Sequence, residues 1–110
     1  MKVSDIQSID DFKTFTLTYL AEADYKVTEE EKEIIFHHVS QERYEQIKAL
    51  IDRLSDFECL NVISDYRNNF LSDEKVLDQL VDEMEELYKA NKHTSILEKN
   101  MIMALKKVLY

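Results

Sequence analysis

The chain has 110 residues, 45% of them hydrophobic, with 14 basic against 23 acidic side chains, a formal net charge of −9, one Cys, and neither Gly nor Pro. A chain of this length and apolar content can bury a core without staples, and losing both loop-punctuating residues favours helices joined by short turns capped by Ser, Thr, Asp and Asn. The negative field argues against nucleic acid as a ligand, no apolar run nears the ~20 residues that span a bilayer, and the lone Cys59 excludes an internal disulfide framework. The expectation is a single all-α domain over 1–110, a cytoplasmic bundle of six to seven helices in which residues 1–7 are a lead-in.

Ser8, or an earlier Ser4, caps a first helix whose apolar positions are Phe12, Phe15, Leu17, Tyr19, Leu20 and Ala23, ending near Asp24. Thr28 with Glu31 three residues on forms a capping box that opens a second helix through Ile34, Ile35, Phe36 and Val39. Ser40 caps a third, in which Tyr44, Ile47, Leu50, Ile51 and Leu54 make one apolar stripe. Ser55 and Glu58 repeat the box before a fourth helix carrying Phe57, Leu60, Ile63 and Tyr66, with a polar break at Arg67-Asn68-Asn69. Ser72 caps the longest pattern, Val76, Leu77, Leu80, Val81, Met84, Leu87 and Tyr88, whose regularity predicts the central helix of the bundle. After Asn91, Ser95 and Glu98 make another box, and Leu97, Met101, Ala104, Leu105 and Val108 form the closing helix.

A shift of 67 residues lays Leu20 on Leu87, Ala23 on Ala90, Asp24 on Asn91, Thr28 on Ser95, Glu31 on Glu98, Lys32 on Lys99 and Ile35 on Ile102. Leu17 then falls on Met84 and Ile34 on Met101, so the apolar faces stay in register with the loop. Two such helix-loop-helix units, each with an apolar face, pack naturally about a pseudo-twofold axis with helices three and four between them.

The run Leu20-Ala21-Glu22-Ala23-Asp24-Tyr25-Lys26-Val27-Thr28-Glu29-Glu30-Glu31 resembles the first repeat of the tellurite-resistance TerB-like family, and residues 87–102 resemble its weaker second repeat. The resemblance spans about residues 12–109. It implies a compact, cytoplasmic, all-helical domain associated with bacterial stress response, with a proposed acidic cluster for a divalent cation. Carried over, that cluster is Asp24, Glu31, Asn91 and Glu98, oxygen donors suited to Ca²⁺ or Mg²⁺, although no cofactor is required. Two positions depart from the pattern. Tyr25 stands where the family has Gly, and Asn91 replaces an Asp, leaving three charges instead of four.

Taken by themselves, the same residues have a structural role. Glu31 and Glu98 sit at the third position of capping boxes, and Asp24 and Asn91 suit helix ends and turns. A protein-protein adaptor with no metal site is therefore the alternative function. Glu33 and His37 share a helix face, but the three histidines are scattered, and His37 and His38 read as helix-end residues interacting with the last carbonyls, while His93 reads as an exposed loop residue. The serines are accounted for as caps and no phosphate loop is possible without Gly, so the expectation is no enzyme. The expected partner is an unidentified protein, reached through the acidic face of Asp82, Glu83, Glu85 and Glu86 or through exposed aromatics among Tyr25, Tyr44, Tyr66 and Tyr110. There is no expectation of membrane insertion, and the oligomeric state is expected to be a monomer or weak homodimer.

Overall fold

The structure, a computed structural model, describes residues 6, 8–22, 28–70, 73–90 and 96–110, leaving aside the side chains of 70, 90 and 96–98. The described residues form six helices: α1 (Ile9–Ala21), α2 (Glu29–Ile35), α3 (Gln41–Asp52), α4 (Asp56–Phe70), α5 (Glu74–Ala90) and α6 (Ile96–Leu109). The all-α bundle expected from the missing Gly and Pro is what forms.

The helix starts follow the capping chemistry. Ser8 Oγ accepts from Asp11 N–H at 3.1 Å and Ser40 Oγ from Arg43 N–H at 3.2 Å. Thr28 and Glu31 close the expected box, with Thr28 N–H donating to Glu31 Oε1 at 3.0 Å and Glu31 N–H to Thr28 Oγ1 at 3.2 Å. Ser55 and Glu58 close another at 3.1 and 3.2 Å. At α5 the acceptor is Asp73, whose Oδ1 takes Lys75 N–H at 2.9 Å. The expected cap, Ser72, lies outside the described residues, as do Ser4 and Ser95.

The central element is α1, not α5. It packs against α2, α3, α4, α5 and α6, and every residue from Asp11 to Ala21 is buried. The sequence hid this because α1 carries Thr14, Thr16 and Thr18 among its apolar residues, which reads as a half-polar surface. Two of these threonines satisfy themselves on their own helix: Thr14 Oγ1 donates to Asp10 C=O at 2.7 Å and Thr16 Oγ1 to Phe12 C=O at 3.0 Å. Back-bonded in this way, a threonine presents mainly its methyl to its neighbours and can be buried at little cost. Regularity of the apolar stripe marks a one-sided helix, and α5 is that.

α4 differs from expectation in two ways. It runs through Arg67-Asn68-Asn69 to Phe70, and the Arg67 guanidinium donates from Nε to the Leu109 carbonyl at the end of α6. A polar triplet is thus an exposed helical turn that ties down another helix's C-terminus. Its buried face is Cys59, Val62 and Ile63, whereas Phe57, expected on the apolar stripe, is 73% exposed.

The repeat survives as burial. Leu17 and Met84, Leu20 and Leu87, and Ile35 and Ile102 are all in the core, while Ile34 and Met101 are both half-buried. α1 packs on α5, α2 on α5 and α6 on α1, the reciprocity expected of two hairpins related by a twofold axis. Ile6, assigned to the lead-in, is 4% exposed and belongs to the core. The radius of gyration is 12.6 Å, close to the ~13 Å expected of one compact domain of this length.

Candidate functional site

Of the four residues expected to form a cation site, Glu31 alone has a described side chain. Asp24 and Asn91 lie outside the described residues, as does the side chain of Glu98, whose backbone is in the first turn of α6. Glu31 is fully buried. Its Oε1 completes the capping box, while its Oε2 is buried with no hydrogen-bond partner among the described residues. A carboxylate oxygen held out of water without a donor or cation is energetically unfavourable, so this atom has unused ligand capacity among the described residues. Among the described residues no group of three or more His, Cys, Asp or Glu converges closely enough to hold a metal ion.

The histidines diverge from expectation. α2 stops at Ile35, and His37 is exposed in the turn that follows. His38 folds back onto α5, where its Nε2 contacts Glu83 Oε2 and its Nδ1 lies 3.7 Å from Asp10 Oδ1. Lys13 of α1 joins the same group, 3.7 Å from Glu83 Oε1 and 3.5 Å from Gln79 Oε1. Glu83, placed by the sequence on the acidic face of α5, is therefore the hub of a polar cluster joining α1, the α2 turn and α5. No local pattern announces a contact between residues 38 and 83; it follows only from docking α2 on α5. His93 lies outside the described residues.

A second acidic group surrounds a cavity of about 270 Å³ lined from α1, α3, α4 and α6. Lys48 spans its edge, reaching Glu22 Oε1 at 3.0 Å and Asp52 Oδ2 at 3.1 Å, and these hydrogen bonds hold its ammonium above the ordinary lysine range. Burial raises the Glu22 carboxyl above its ordinary value despite Lys48. Deeper in, burial and the nearby Asp56 push the Tyr19 hydroxyl up to about 12. Burial, with Asp56, Glu22 and Glu58 adding to it, pushes the Cys59 thiol up to about 12 as well. A thiol so held stays protonated at neutral pH. The Tyr19 hydroxyl is buried without a partner among the described residues.

The acidic runs also divide. Glu29, Glu30, Glu33, Asp82 and Glu86 are exposed, while Glu85 pairs with Lys106 at 2.9 Å. Of the aromatics expected at a docking face, Tyr110 is 61% exposed and donates to Asp78 at 2.8 Å. Tyr66 is half-buried, and Tyr25 lies outside the described residues. Tyr44 is a correction: it is 1% exposed and packs edge-on against Phe36 at 5.2 Å, because the third helix turns its whole apolar stripe inward. No described helix is long and apolar enough to cross a membrane.

The fold and these groups define the protein's class as a small all-α bundle with a buried capping carboxylate and an acidic cavity. No protein-family model, curated protein or solved structure matches the chain.

Proposed function

We propose that the protein is a non-enzymatic, TerB-like module of a bacterial stress-response system, acting in the cytoplasm through binding, with a weak divalent-cation site between its two repeat loops. The observation that carries the reading is the buried Oε2 of Glu31, unpartnered among the described residues. It is a hard oxygen donor suited to Ca²⁺ or Mg²⁺. Asp24, Asn91 and Glu98 are the other residues that would hold the ion, and the equal burial of the repeat positions flanking both loops supports pairing them. An ion there would add a cross-link between the repeats, with no chemical step on a substrate.

The complete Thr28–Glu31 capping box favours a second reading, a pure adaptor in which these residues are caps and the ligand is a protein. Thermal melts with added Ca²⁺ or Mg²⁺ separate the two. At ten times Kd a cation adds about 1.4 kcal/mol to a folded protein of this size, a rise of several degrees in Tm. The rise is expected for the native chain and not for Glu31→Gln, which can keep the capping hydrogen bond through its remaining amide oxygen. No shift in the native chain at millimolar cation overturns the cation site and leaves the adaptor.

A further inference from the structure

The cavity between α1, α3, α4 and α6 has a composition that its own contacts leave incomplete. Its walls carry the carboxylates of Glu22, Asp52 and Asp56. Lys48 answers the first two. Asp56, exposed in the first turn of α4, makes no salt bridge among the described residues. The Tyr19 side chain lines the same space; it is 95% buried by accessible area, at 5% exposure, and its hydroxyl has no hydrogen-bond partner among the described residues. Burial, with Asp56 and Cys59, two other lining residues, adding to it, raises that hydroxyl above its ordinary value. Ile51, Leu54 and Met101 supply apolar wall.

We propose that this cavity binds a small organic cation with a short aliphatic stem, an alkylammonium or alkylguanidinium compound. The head sits between the Asp56 carboxylate and the Tyr19 hydroxyl, and the stem lies along Ile51, Leu54 and Met101. Charge fixes the sign of the ligand, since three carboxylates face one ammonium. The carboxylates do not group closely enough to hold a metal ion, yet a molecule with an N–H head and a stem reaches both polar groups and the apolar wall at once. At about 270 Å³ the cavity falls just under the ~300–1,000 Å³ of typical ligand pockets, which restricts it to a small ligand. An ammonium or guanidinium N–H donated to Tyr19 would also satisfy an oxygen that is otherwise buried at a cost.

The test is calorimetric titration of the full chain in amine-free phosphate buffer, with pentylamine and agmatine as probes and 1-pentanol and pentanoate as neutral and anionic controls. Both amines are expected to bind at millimolar concentration or below, pentanol about tenfold more weakly, the equivalent of one charge-assisted hydrogen bond, and pentanoate not at all. Asp56→Asn is expected to lose about tenfold in amine affinity, and Tyr19→Phe to lose affinity while melting no lower than the native chain, since it removes only an unpartnered hydroxyl. Asp65→Asn, an exposed carboxylate on α4 that does not line the cavity, is expected to bind as the native chain does. Absence of amine binding, equal binding of pentylamine and pentanol, or native affinity in Asp56→Asn would each overturn the proposal.

Discussion

Raising the pH should unfold this protein through Cys59 in a way that can be isolated by one substitution. The thiol has an ordinary value of 9.0 and is pushed up to about 12 in the fold, where it is 1% exposed. The folded state therefore keeps a proton that the unfolded chain loses, so the associated stability is complete below pH 9 and declines as pH rises towards 12. Each pH unit within that window removes at most about 1.4 kcal/mol per proton, or up to about 2.7 kcal/mol between pH 9 and 11. Water entering the open side of the cavity screens part of this, leaving an expected loss of about 1–2 kcal/mol. Tyr19, Tyr44, Tyr110 and Lys48 also lose stabilisation at high pH, because each is raised above its ordinary value. The Tyr44, Tyr110 and Lys48 losses are common to the native chain and to Cys59→Ala, whereas part of the Tyr19 shift comes from Cys59 itself, so the difference between the two isolates the thiol together with its coupling to Tyr19. Urea unfolding under reducing conditions at pH 8, 9, 10 and 11 measures it. Cys59→Ala should start less stable by about 1 kcal/mol from lost packing and overtake or match the native chain by pH 11. Parallel decline of the two proteins across this range would refute the account.

Two further predictions concern packing and capping. Phe57→Ser should change unfolding free energy by less than about 0.5 kcal/mol, as for other exposed positions, whereas Leu80→Ala, at a fully buried position, should cost about 2–5 kcal/mol; urea melts that ranked the two the other way would restore Phe57 to the core. Thr28→Ala removes the hydroxyl acceptor of a complete capping box and should cost about 1 kcal/mol, read as a lower Tm and faster hydrogen exchange in the first turn of α2. An unchanged melt would show that the box contributes nothing to stability.

Much of the fold was legible because the elements are marked locally. Ser8, Thr28, Ser40 and Ser55 cap helices as their spacing implied, since a cap needs only the side chain and the two or three residues after it. The repeat was legible too, because core positions at matching places in two hairpins accept the same side-chain types. Which helix is central was not legible. Periodicity reports one-sidedness, and a helix surrounded on all sides has no single face to report; α1 further disguised itself with back-bonded threonines. Phe57 misled for a related reason, since its spacing with Leu60 and Ile63 is helical but the face actually covered is that of Cys59, Val62 and Ile63. The two polar clusters were invisible for a third reason: His38 to Glu83 and Lys48 to Glu22 are contacts between segments far apart in sequence, set by docking rather than by spacing.

The duplicated architecture also explains why the cavity lined by Tyr19 and Glu22 lies on the α1 side of the repeat. α3 and α4 pack on α1, so the α1 positions must suit two more neighbours than their equivalents in α5. Phe12 and Phe15 are fully buried, while their counterparts at the 67-residue shift, Gln79 and Asp82, are exposed. Tyr19 and Glu22, which line the cavity, correspond to Glu86 and Lys89, both exposed on α5. The repeat thus keeps the residues that make the shared core and departs where α3 and α4 land. A hydroxyl and a carboxyl enclosed by those added helices become cavity walls, and the same positions on α5 remain in water, where charged residues carry no desolvation cost. Any ligand taken up there would bridge α1 to the inserted helices α3 and α4, whereas a cation at the repeat loops would bridge the two hairpins. The two sites therefore act on different interfaces and can be separated: Asp56→Asn should leave a Ca²⁺ or Mg²⁺ response intact, and Glu31→Gln should leave amine binding intact.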